Sequence, residues 1–256
     1  MQKFSAEEIR SSVRDRYGAV AQNKGTECGC SSSCCSPASA LGYTAAEMAL
    51  APEGANLGLG CGNPQAIAAL KPGEVVLDLG SGGGFDCFLA AKAVGESGRV
   101  IGVDMTHEMI ALSRKNASKA ACVQVEFRLG EIEHLPVADS SVDVIISNCV
   151  INLSPDKPQV FREAFRALKS GGRISVSDMV ASGTLTEELR SDLTSYSACI
   201  AGASPVDELE TMIKAAGFRD IRIEPKEESR SFVKDWAPGK SIENFVLSAT
   251  IEAIKP

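Results

Sequence analysis

Aromatic side chains, histidine and positive charge are all scarce in this 256-residue sequence. Only 5% of the residues are aromatic, and the 26 Lys and Arg are outnumbered by 33 Asp and Glu, which gives a formal net charge of -7. Broad binding to nucleic acid is therefore excluded, because a protein that neutralises phosphates needs a basic surface. The two histidines, His107 and His134, are expected at the surface or in loops, so a histidine general base is not expected.

Long apolar segments are also missing. No uninterrupted apolar run reaches the ~18 residues that a membrane-spanning helix requires, and residues 1–8 lack the apolar core of a secretory signal. With 44% hydrophobic residues the chain has ample material for a buried core, in one large domain or two modest ones. The sequence therefore predicts a soluble cytoplasmic protein that has neither a membrane nor a nucleic acid as partner.

Cysteine, in contrast, is frequent. The nine cysteines stand at positions 28, 30, 34, 35, 61, 87, 122, 149 and 199. An odd number in a chain without an export signal is a poor match to a disulfide scaffold, so most of them are expected to be free thiols. Four of the nine fall between Cys28 and Cys35, which favours a chemical role for cysteine beyond packing.

The order of the predicted elements indicates an α/β fold. A helix is predicted over residues 5–17, and residues 25–63, rich in Gly, Ser, Cys and Ala, predict a loop-rich cap with a short helix near 44–50. From Pro72 onward, short apolar strands alternate with helices, which is typical of a parallel sheet covered on both faces. The predicted strands are 74–79, 99–103, 124–129, 142–147 and 173–177, and the helices between them are 87–94, 108–120 and 159–168.

The remainder of the chain is predicted to extend this sheet. The helix over 159–168 is expected to stop at Gly171-Gly172, because glycine commonly ends helices. An insertion with helix signals follows at 181–203. A further helix over 205–216 and two strands near 220–224 and 244–251 complete the prediction.

A strand, a glycine-rich turn and a helix follow one another in residues 75–85, Val-Val-Leu-Asp-Leu-Gly-Ser-Gly-Gly-Gly-Phe. Such a turn lets the backbone approach a ligand closely, and the helix N-terminus offers free N–H groups. Asp104 ends the next strand, where an acid can hold ribose hydroxyls. NAD is the competing ligand, but Asp78 suits a cationic ligand group, and Phe85 follows the glycines so that the third glycine of the dinucleotide spacing is displaced.

This segment resembles motif I of the class I S-adenosylmethionine methyltransferases. Further matches follow in order at Asp104-Met105, at residues 130–136, where that family places adenine contacts, and at Ser147-Asn148. The alternative for the glycine-rich turn is a helix–sheet turn that binds no ligand, and the agreement of four strand ends disfavours it. The alternative for Glu131 is a solvated acid in a loop. The resemblance implies a Rossmann-like fold that binds S-adenosylmethionine. The expected cofactor-binding residues are Asp78, Gly80, Gly82, Asp104, Met105, Glu131, Ile132 and Asn148.

Three cysteines from distant segments are expected near this cofactor. Cys149 follows the fourth strand, whose carboxyl end faces the ligand crevice in an open α/β sheet. Cys199 lies in the insertion, which is expected over the same edge, and Cys61 precedes the domain and can fold back over it. A structural zinc site normally takes four ligands with Cys-x2-Cys spacing, which is absent. Trivalent arsenic needs only three thiolates and keeps a lone pair, which can attack a sulfonium methyl group without a base.

Three cysteine-containing segments make the resemblance narrower. Residues 59–64 (Leu-Gly-Cys-Gly-Asn-Pro), 146–153 (Ile-Ser-Asn-Cys-Val-Ile-Asn-Leu) and 197–203 (Ser-Ala-Cys-Ile-Ala-Gly-Ala) are similar to the signature segments of the arsenite methyltransferases. The resemblance implies that Cys61, Cys149 and Cys199 bind As(III). It also implies a redox-active cysteine near the N-terminus, for which position favours Cys34 and Cys35; a loose metal-scavenging tract is the alternative for that cluster.

The resemblance therefore predicts a complete reaction. Arsenite, hydrated or as a thiol conjugate, exchanges its ligands for protein thiolates, and its lone pair takes the methyl group of S-adenosylmethionine. An N-terminal thiol pair then reduces arsenic again by forming a disulfide, which thioredoxin or glutathione reopens. Two alternatives remain, a class I methyltransferase of a small carbon substrate and a non-catalytic metalloid- or zinc-binding protein.

The same resemblance suggests a division of the chain. Residues 1–70 are expected to form the N-terminal helix and cysteine-rich cap, and residues 71–180 the cofactor-binding domain. Residues 181–256 are expected to supply the arsenic-binding insertion and the elements that complete the sheet. Cys87 and Cys122 are expected to be structural thiols, because buried free cysteine behaves as a small hydrophobic residue.

Overall fold

The computed structural model describes residues 4–22, 41–237 and 239–256. Cys28, Cys30, Cys34 and Cys35, and with them residues 25–40 of the predicted cap, lie outside the described residues. The strands are β1 Val75–Leu79, β2 Arg99–Asp104, β3 Val125–Leu129, β4 Val142–Asn148, β5 Leu168–Ala181, β6 Ser204–Pro205, β7 Arg219–Pro225 and β8 Val246–Ile254. The α-helices are α1 Ala6–Gln22, α2 Ala45–Leu50, α3 Gln65–Ala68, α4 Phe85–Val94, α5 His107–Lys119, α6 Lys157–Ala167, α7 Glu187–Arg190, α8 Leu193–Ser197, α9 Val206–Ala215 and α10 Arg230–Val233.

One mixed sheet organises these elements, in the order β3-β2-β1-β4-β5-β8-β7, with β6 paired to β5. Strands β1 to β5 are mutually parallel, and β8 runs antiparallel to both β5 and β7. The strand order reverses between β1 and β4, so the crevice beside their carboxyl ends is the expected ligand site. The predicted Rossmann-like α/β fold is confirmed.

The central strands are buried because helices cover both faces of the sheet. In β1, residues 76–79 are all buried, which explains why the strand is a continuous apolar run interrupted only by Asp78. On one face, Val160, Phe161 and Ala164 of α6 join the core. On the other, α4 contributes Cys87 and Phe88.

Helix α1 covers a separate apolar cluster at the edge of the sheet. Ile9 and Val13 are buried there together with Cys61, Cys149 and Cys199. The helix is longer than the 5–17 predicted, since it continues to Gln22. None of the helices within the described ranges is both long enough and apolar enough to cross a bilayer.

The expected helix stop at Gly171-Gly172 is wrong. Helix α6 ends at Ala167, and β5 begins at Leu168 and includes both glycines. The reason is a long-range pairing, because Gly171 N donates to Lys255 O and Lys255 N donates to Gly172 O, each at 2.8 Å. Gly171 adopts φ +77°, a conformation open to glycine, within this irregular strand.

Candidate active site

A large cavity opens at the carboxyl ends of β1, β2 and β4. It encloses about 1130 Å³ of empty space, including its open mouth. All but one of the predicted cofactor residues line it: Asp78, Gly80, Gly82, Asp104, Met105, Ile132 and Asn148. Its position at the reversal of strand order is where open α/β sheets bind ligands.

The glycine-rich turn is fixed by the acid that ends β2. The Asp104 carboxylate accepts hydrogen bonds from Gly82 N at 3.0 Å and from Thr106 N at 2.8 Å. Burial raises the pKa of Asp104, and these two bonds oppose that rise. Gly80 must be glycine, because it has φ +70° and a Cβ there would lie 2.2 Å from Val150 Cγ2.

The cavity wall carries polar groups that the protein itself leaves unsatisfied. The buried hydroxyl of Ser81 has no hydrogen-bond partner among the described residues, and a Cβ on Gly82 would meet no atom within 4 Å. A buried hydroxyl without a partner is costly, so a polar ligand is expected to satisfy it. The open backbone and this hydroxyl fit a ligand with ribose and amino-acid groups, such as S-adenosylmethionine.

Asp78 brings a buried carboxyl group to the same cavity. Its Oδ2 accepts a hydrogen bond from Cys87 Sγ at 3.2 Å. Burial, together with the neighbouring charge of Asp86, raises the pKa of Asp78 well above its usual range. A cationic ligand group placed here lowers that pKa again and pairs with the carboxylate. Cys87 thus has a polar contact in addition to its packing role, whereas half-buried Cys122 lies apart from the cavity.

Glu131 is the predicted cofactor residue that does not line the cavity. Its carboxylate faces α1 instead, with Arg10 Nε at 3.4 Å and Arg14 Nη1 at 3.7 Å. The neighbours Gly130 and Ile132 reach the cavity in its place. A contact between Glu131 and the cofactor stays a prediction, and the structure gives this acid a role in holding α1.

Asn148 attaches the Cys61 segment to the end of β4. Its Oδ1 accepts from Cys61 N at 3.0 Å, and its Nδ2 donates to Gly62 O at 2.8 Å and to the Tyr43 hydroxyl at 3.1 Å. Gly60 permits this approach, since a Cβ there would lie 2.7 Å from Asn148 Nδ2. Asn148 therefore lines the cavity and also determines where Cys61 lies.

Tyr43 and Asp86 support Asn148 and were not predicted from the sequence. The Tyr43 hydroxyl donates to Asp86 Oδ1 at 2.7 Å, and Asn148 Nδ2 lies 3.3 Å from Asp86 Oδ2. Both side chains line the cavity. The sequence signal for Asp86 was weak, because an acid in the first turn of a helix is common for reasons of capping and dipole alone.

The three cysteines expected to converge do lie together, and we call Cys61, Cys149 and Cys199 the thiol cluster. All are buried, with exposed fractions of 1%, 4% and 3%. Cys199 Sγ donates to Cys149 O at 2.9 Å, and Cys61 Sγ donates to Ser177 O at 3.5 Å. Cys149 also lines the cavity, so through this residue the thiol cluster adjoins the expected cofactor site.

Two members of the thiol cluster have strained backbones. Cys149 has φ +61° and Cys199 has φ +62°, in the left-handed region that residues other than glycine seldom adopt. Such a conformation costs on the order of 1–3 kcal/mol and persists where the surrounding structure imposes it, frequently at functional sites. Here Cys149 N donates to Ser177 O at 2.8 Å, which fixes the turn directly after β4.

The environment of Cys61 and Cys149 raises the pKa of both thiols. Hydrogen bonds with the other two thiols and burial raise the pKa of Cys149 well above its usual value, and burial raises the pKa of Cys61. Helix α1 adds to this burial, and its Tyr17 hydroxyl donates to Ser197 O at 3.4 Å, two residues before Cys199. Cys61 and Cys149 therefore favour the protonated thiol at neutral pH.

Asp178 lies at the thiol cluster and was not predicted. One of its carboxylate oxygens and the Sγ atoms of Cys61 and Cys149 all lie within 4.8 Å of one another. Burial raises the pKa of Asp178 to about 6. A signal was available, because Asp178 directly follows the predicted strand 173–177, as Asp104 follows the strand predicted at 99–103.

Comparison with known proteins agrees with this geometry. Residues 70–217 match the family model described as a methyltransferase domain, and with the fold described above this places the chain among the class I methyltransferases. The chain is 50% identical to an arsenite methyltransferase of Halobacterium salinarum, over 98% of this chain and 67% of that protein. The chain belongs to the arsenite methyltransferase family.

Two further relatives extend the comparison. An arsenite methyltransferase of Aquipseudomonas alcaligenes is 42% identical over 84% of this chain and 63% of that protein. The chain thus spans about two thirds of the length of both relatives. An arsenic(III) S-adenosylmethionine methyltransferase from Chlamydomonas reinhardtii has a solved structure that matches with a TM-score of 0.65 and 33% identity, covering 86% of this chain and 73% of that one.

Proposed function

We propose that this chain catalyses S-adenosylmethionine-dependent methylation of trivalent arsenic bound by the thiol cluster. The observation that carries the proposal is that Cys149 belongs both to the cavity wall and to the thiol cluster. Cys149 lines the cavity beside the glycine-rich turn, and its carbonyl oxygen accepts the hydrogen bond of Cys199 Sγ. A soft element bound by thiolates at this point adjoins the cofactor site directly.

The cofactor is expected to be held by the residues of the cavity wall. Gly80 and Gly82 offer open backbone, Ser81 a free hydroxyl, and Asp104 and Asp78 carboxyl groups for ribose hydroxyls and the amino group. Bound there, S-adenosylmethionine would supply an electrophilic methyl group on a sulfonium centre. The arsenic lone pair would form the new bond to this methyl group, and S-adenosylhomocysteine would leave with the electrons of the broken carbon–sulfur bond. The positive charge of the sulfonium group also favours the ionised form of carboxyl groups nearby.

Binding of arsenite requires no general base. Arsenite with three hydroxyl ligands exchanges them for three thiols, and each thiol proton leaves with a hydroxyl group as water. Neutral, buried thiols are suited to this exchange, and glutathione conjugates exchange in the same way with glutathione as the leaving thiol. Both histidines are exposed, as expected, and lie outside the cavity lining, which is consistent with a mechanism without a histidine base.

The protein then contributes alignment and exclusion of water. Side chains of α1 line the cavity on one side and cover the thiol cluster on the other, through Val13 and Tyr17. Holding two reactants in line is worth effective molarities of ~10⁵–10⁸ M. Since the methyl group arrives without its bonding electrons, the transfer raises the oxidation state of arsenic by two.

Re-reduction of arsenic is assigned to a thiol pair. Two thiols give up two electrons and two protons as they form a disulfide, and a dithiol such as thioredoxin, or glutathione, reopens it. Cys34 and Cys35 remain the predicted pair. The proposal for the thiol cluster does not depend on which N-terminal cysteine acts.

Arsenic speciation tests the function. The full chain is incubated with arsenite, S-adenosylmethionine and a dithiol, and methylated products are separated and quantified by mass spectrometry. We expect methylarsenic species that depend on both the cofactor and the chain. Binding of S-adenosylmethionine without any methylated arsenic would instead favour the alternative of a small carbon substrate.

A further inference from the structure

The carboxylate of Asp178 is buried beside two thiols and forms no direct ion pair with a described Lys or Arg. Its exposed fraction is 2%, and no Lys or Arg among the described residues forms an ion pair with it. The charge of Lys157 acts on Asp178 and lowers its pKa, but Lys157 Nζ donates its hydrogen bond to Gly202 O at 2.6 Å. Buried carboxylates are normally paired or bind a metal ion, and Asp178 has a charge nearby but no ion-pair contact.

Local hydrogen bonds hold Asp178 in place and leave it coordinating capacity. Its Oδ1 accepts from Met179 N at 2.7 Å and from Asn152 Nδ2 at 2.9 Å, whereas Oδ2 accepts from Asn152 N at a longer 3.3 Å. Each carboxylate oxygen has two lone-pair directions. The carboxylate is therefore oriented by backbone and amide groups, as metal-binding carboxylates commonly are.

The spacing of the three side chains fits one metal ion. Ligand atoms of Cys61, Cys149 and Asp178 all lie within 4.8 Å of one another, close enough to surround a single centre with bonds of about 2.0–2.3 Å after small side-chain shifts. We propose that these three residues form a site for a thiophilic divalent cation of the Zn²⁺ class, which competes with arsenite for two thiolates. Cys199 or a water molecule completes four-fold coordination.

Asp178 is the residue that distinguishes the two ligands. A divalent cation binds as Zn²⁺ with two thiolates and one carboxylate, and the two thiol protons pass to solvent. Arsenite is satisfied by the thiolates of Cys61, Cys149 and Cys199 and needs no oxygen ligand from the protein. The competition rests on the proposed function, whereas binding of the cation rests only on the three side chains.

Calorimetric titration with Zn²⁺ tests the proposal. To exclude Zn²⁺ binding by the N-terminal cysteines, every protein carries Cys28→Ser, Cys30→Ser, Cys34→Ser and Cys35→Ser; we call this the four-serine background. We expect one Zn²⁺ per chain, an affinity at least about tenfold weaker in Asp178→Asn, and unchanged affinity in the control Cys122→Ser. The arsenite affinity of Asp178→Asn is expected to fall less than its Zn²⁺ affinity, because arsenite takes no oxygen ligand from the protein.

Three results would overturn the proposal: no Zn²⁺ bound by the four-serine background, full Zn²⁺ affinity in Asp178→Asn, or equal loss of Zn²⁺ and arsenite binding in a folded Asp178→Asn. If that variant does not fold, a crystal structure of the four-serine background with Zn²⁺ tests the proposal instead. Anomalous density about 2.0–2.2 Å from an Asp178 oxygen and about 2.3 Å from Cys61 and Cys149 Sγ supports the site, and density away from Asp178 contradicts it. Zn²⁺ binding without arsenic methylation would refute only the proposed function.

Discussion

Cys199 Sγ lies 2.9 Å from the carbonyl oxygen of Cys149, although the two residues are separated by 50 positions in the chain. The contact joins the turn after β4 to the segment that follows α8. Both residues have left-handed backbones, so the two turns are shaped to bring these side chains together. Because Cys149 also lines the cavity, a metalloid bound by both thiolates adjoins the cofactor site.

Removal of either thiol is therefore expected to stop methylation. Cys149→Ser and Cys199→Ser should lose turnover of both arsenite and methylarsenite, because Cys149 and Cys199 are the two thiolates expected to hold arsenic in both substrates. Product analysis by mass spectrometry measures the loss, and Cys122→Ser, which removes a thiol outside the cluster, serves as the control. Near-normal turnover in Cys149→Ser or Cys199→Ser would remove the mechanism.

Cys61 is expected to matter more for the first methylation than for the second. A methylated arsenic needs only two thiolates, so Cys61→Ser should slow arsenite turnover strongly and methylarsenite turnover less. Asn148→Ala should likewise slow arsenite turnover more than methylarsenite turnover, because the Asn148 side chain holds both Cys61 N and Gly62 O. Separate initial rates with the two substrates measure this, and equal losses for both substrates would count against the assignment of Cys61.

The sequence predicted the central fold because its signals are local. Alternating apolar strands and helices and the glycine-rich turn are each readable within about a dozen residues. The helix stop at Gly171-Gly172 failed because the hydrogen bonds to Lys255 come from the opposite end of the domain. The local propensity of residues to form helices or strands cannot predict such a long-range pairing.

Site residues divide in the same way. Asp104 was predicted from its position at the end of a strand, and Asn148 from the resemblance to the methyltransferase motifs. Glu131 turned towards Arg10, a contact across 121 positions that no local pattern encodes. Asp178 directly follows the strand predicted at 173–177, although β5 continues to Ala181, and it was missed because no motif included it. The convergence of the cysteines was predicted from family resemblance as much as from topology.

Asp104 offers a test of the cofactor site that leaves the thiols intact. Asp104→Asn should weaken S-adenosylmethionine binding by about 1.5–3 kcal/mol, roughly ten- to hundredfold, through loss of charged hydrogen bonds. Calorimetric titration measures the affinity, and Glu126→Gln, on the neighbouring strand β3 with its partner Arg128, provides a carboxylate control. Unchanged affinity in Asp104→Asn would place the cofactor elsewhere.

Stability at alkaline pH should report the buried thiols. The pKa of Cys149 is raised in the folded chain, so above the ordinary thiol pKa of ~8.5 the unfolded chain loses this proton first. Stability therefore falls as pH rises, by up to ~1.4 kcal/mol per pH unit for each such thiol. Urea unfolding at pH 7, 8.5 and 10 should show the gap between wild type and Cys149→Ser narrowing with pH; parallel curves would contradict the shift.

Arsenic K-edge X-ray absorption tests the central claim most directly. The four-serine background, loaded with one equivalent of arsenite and no other thiol, is compared with its Cys61→Ser, Cys149→Ser and Cys199→Ser derivatives. We predict three sulfur ligands on arsenic in the background and fewer in each derivative. Three sulfur ligands that persist after any one of these changes, or oxygen-only coordination in the background, would contradict arsenic binding by the thiol cluster.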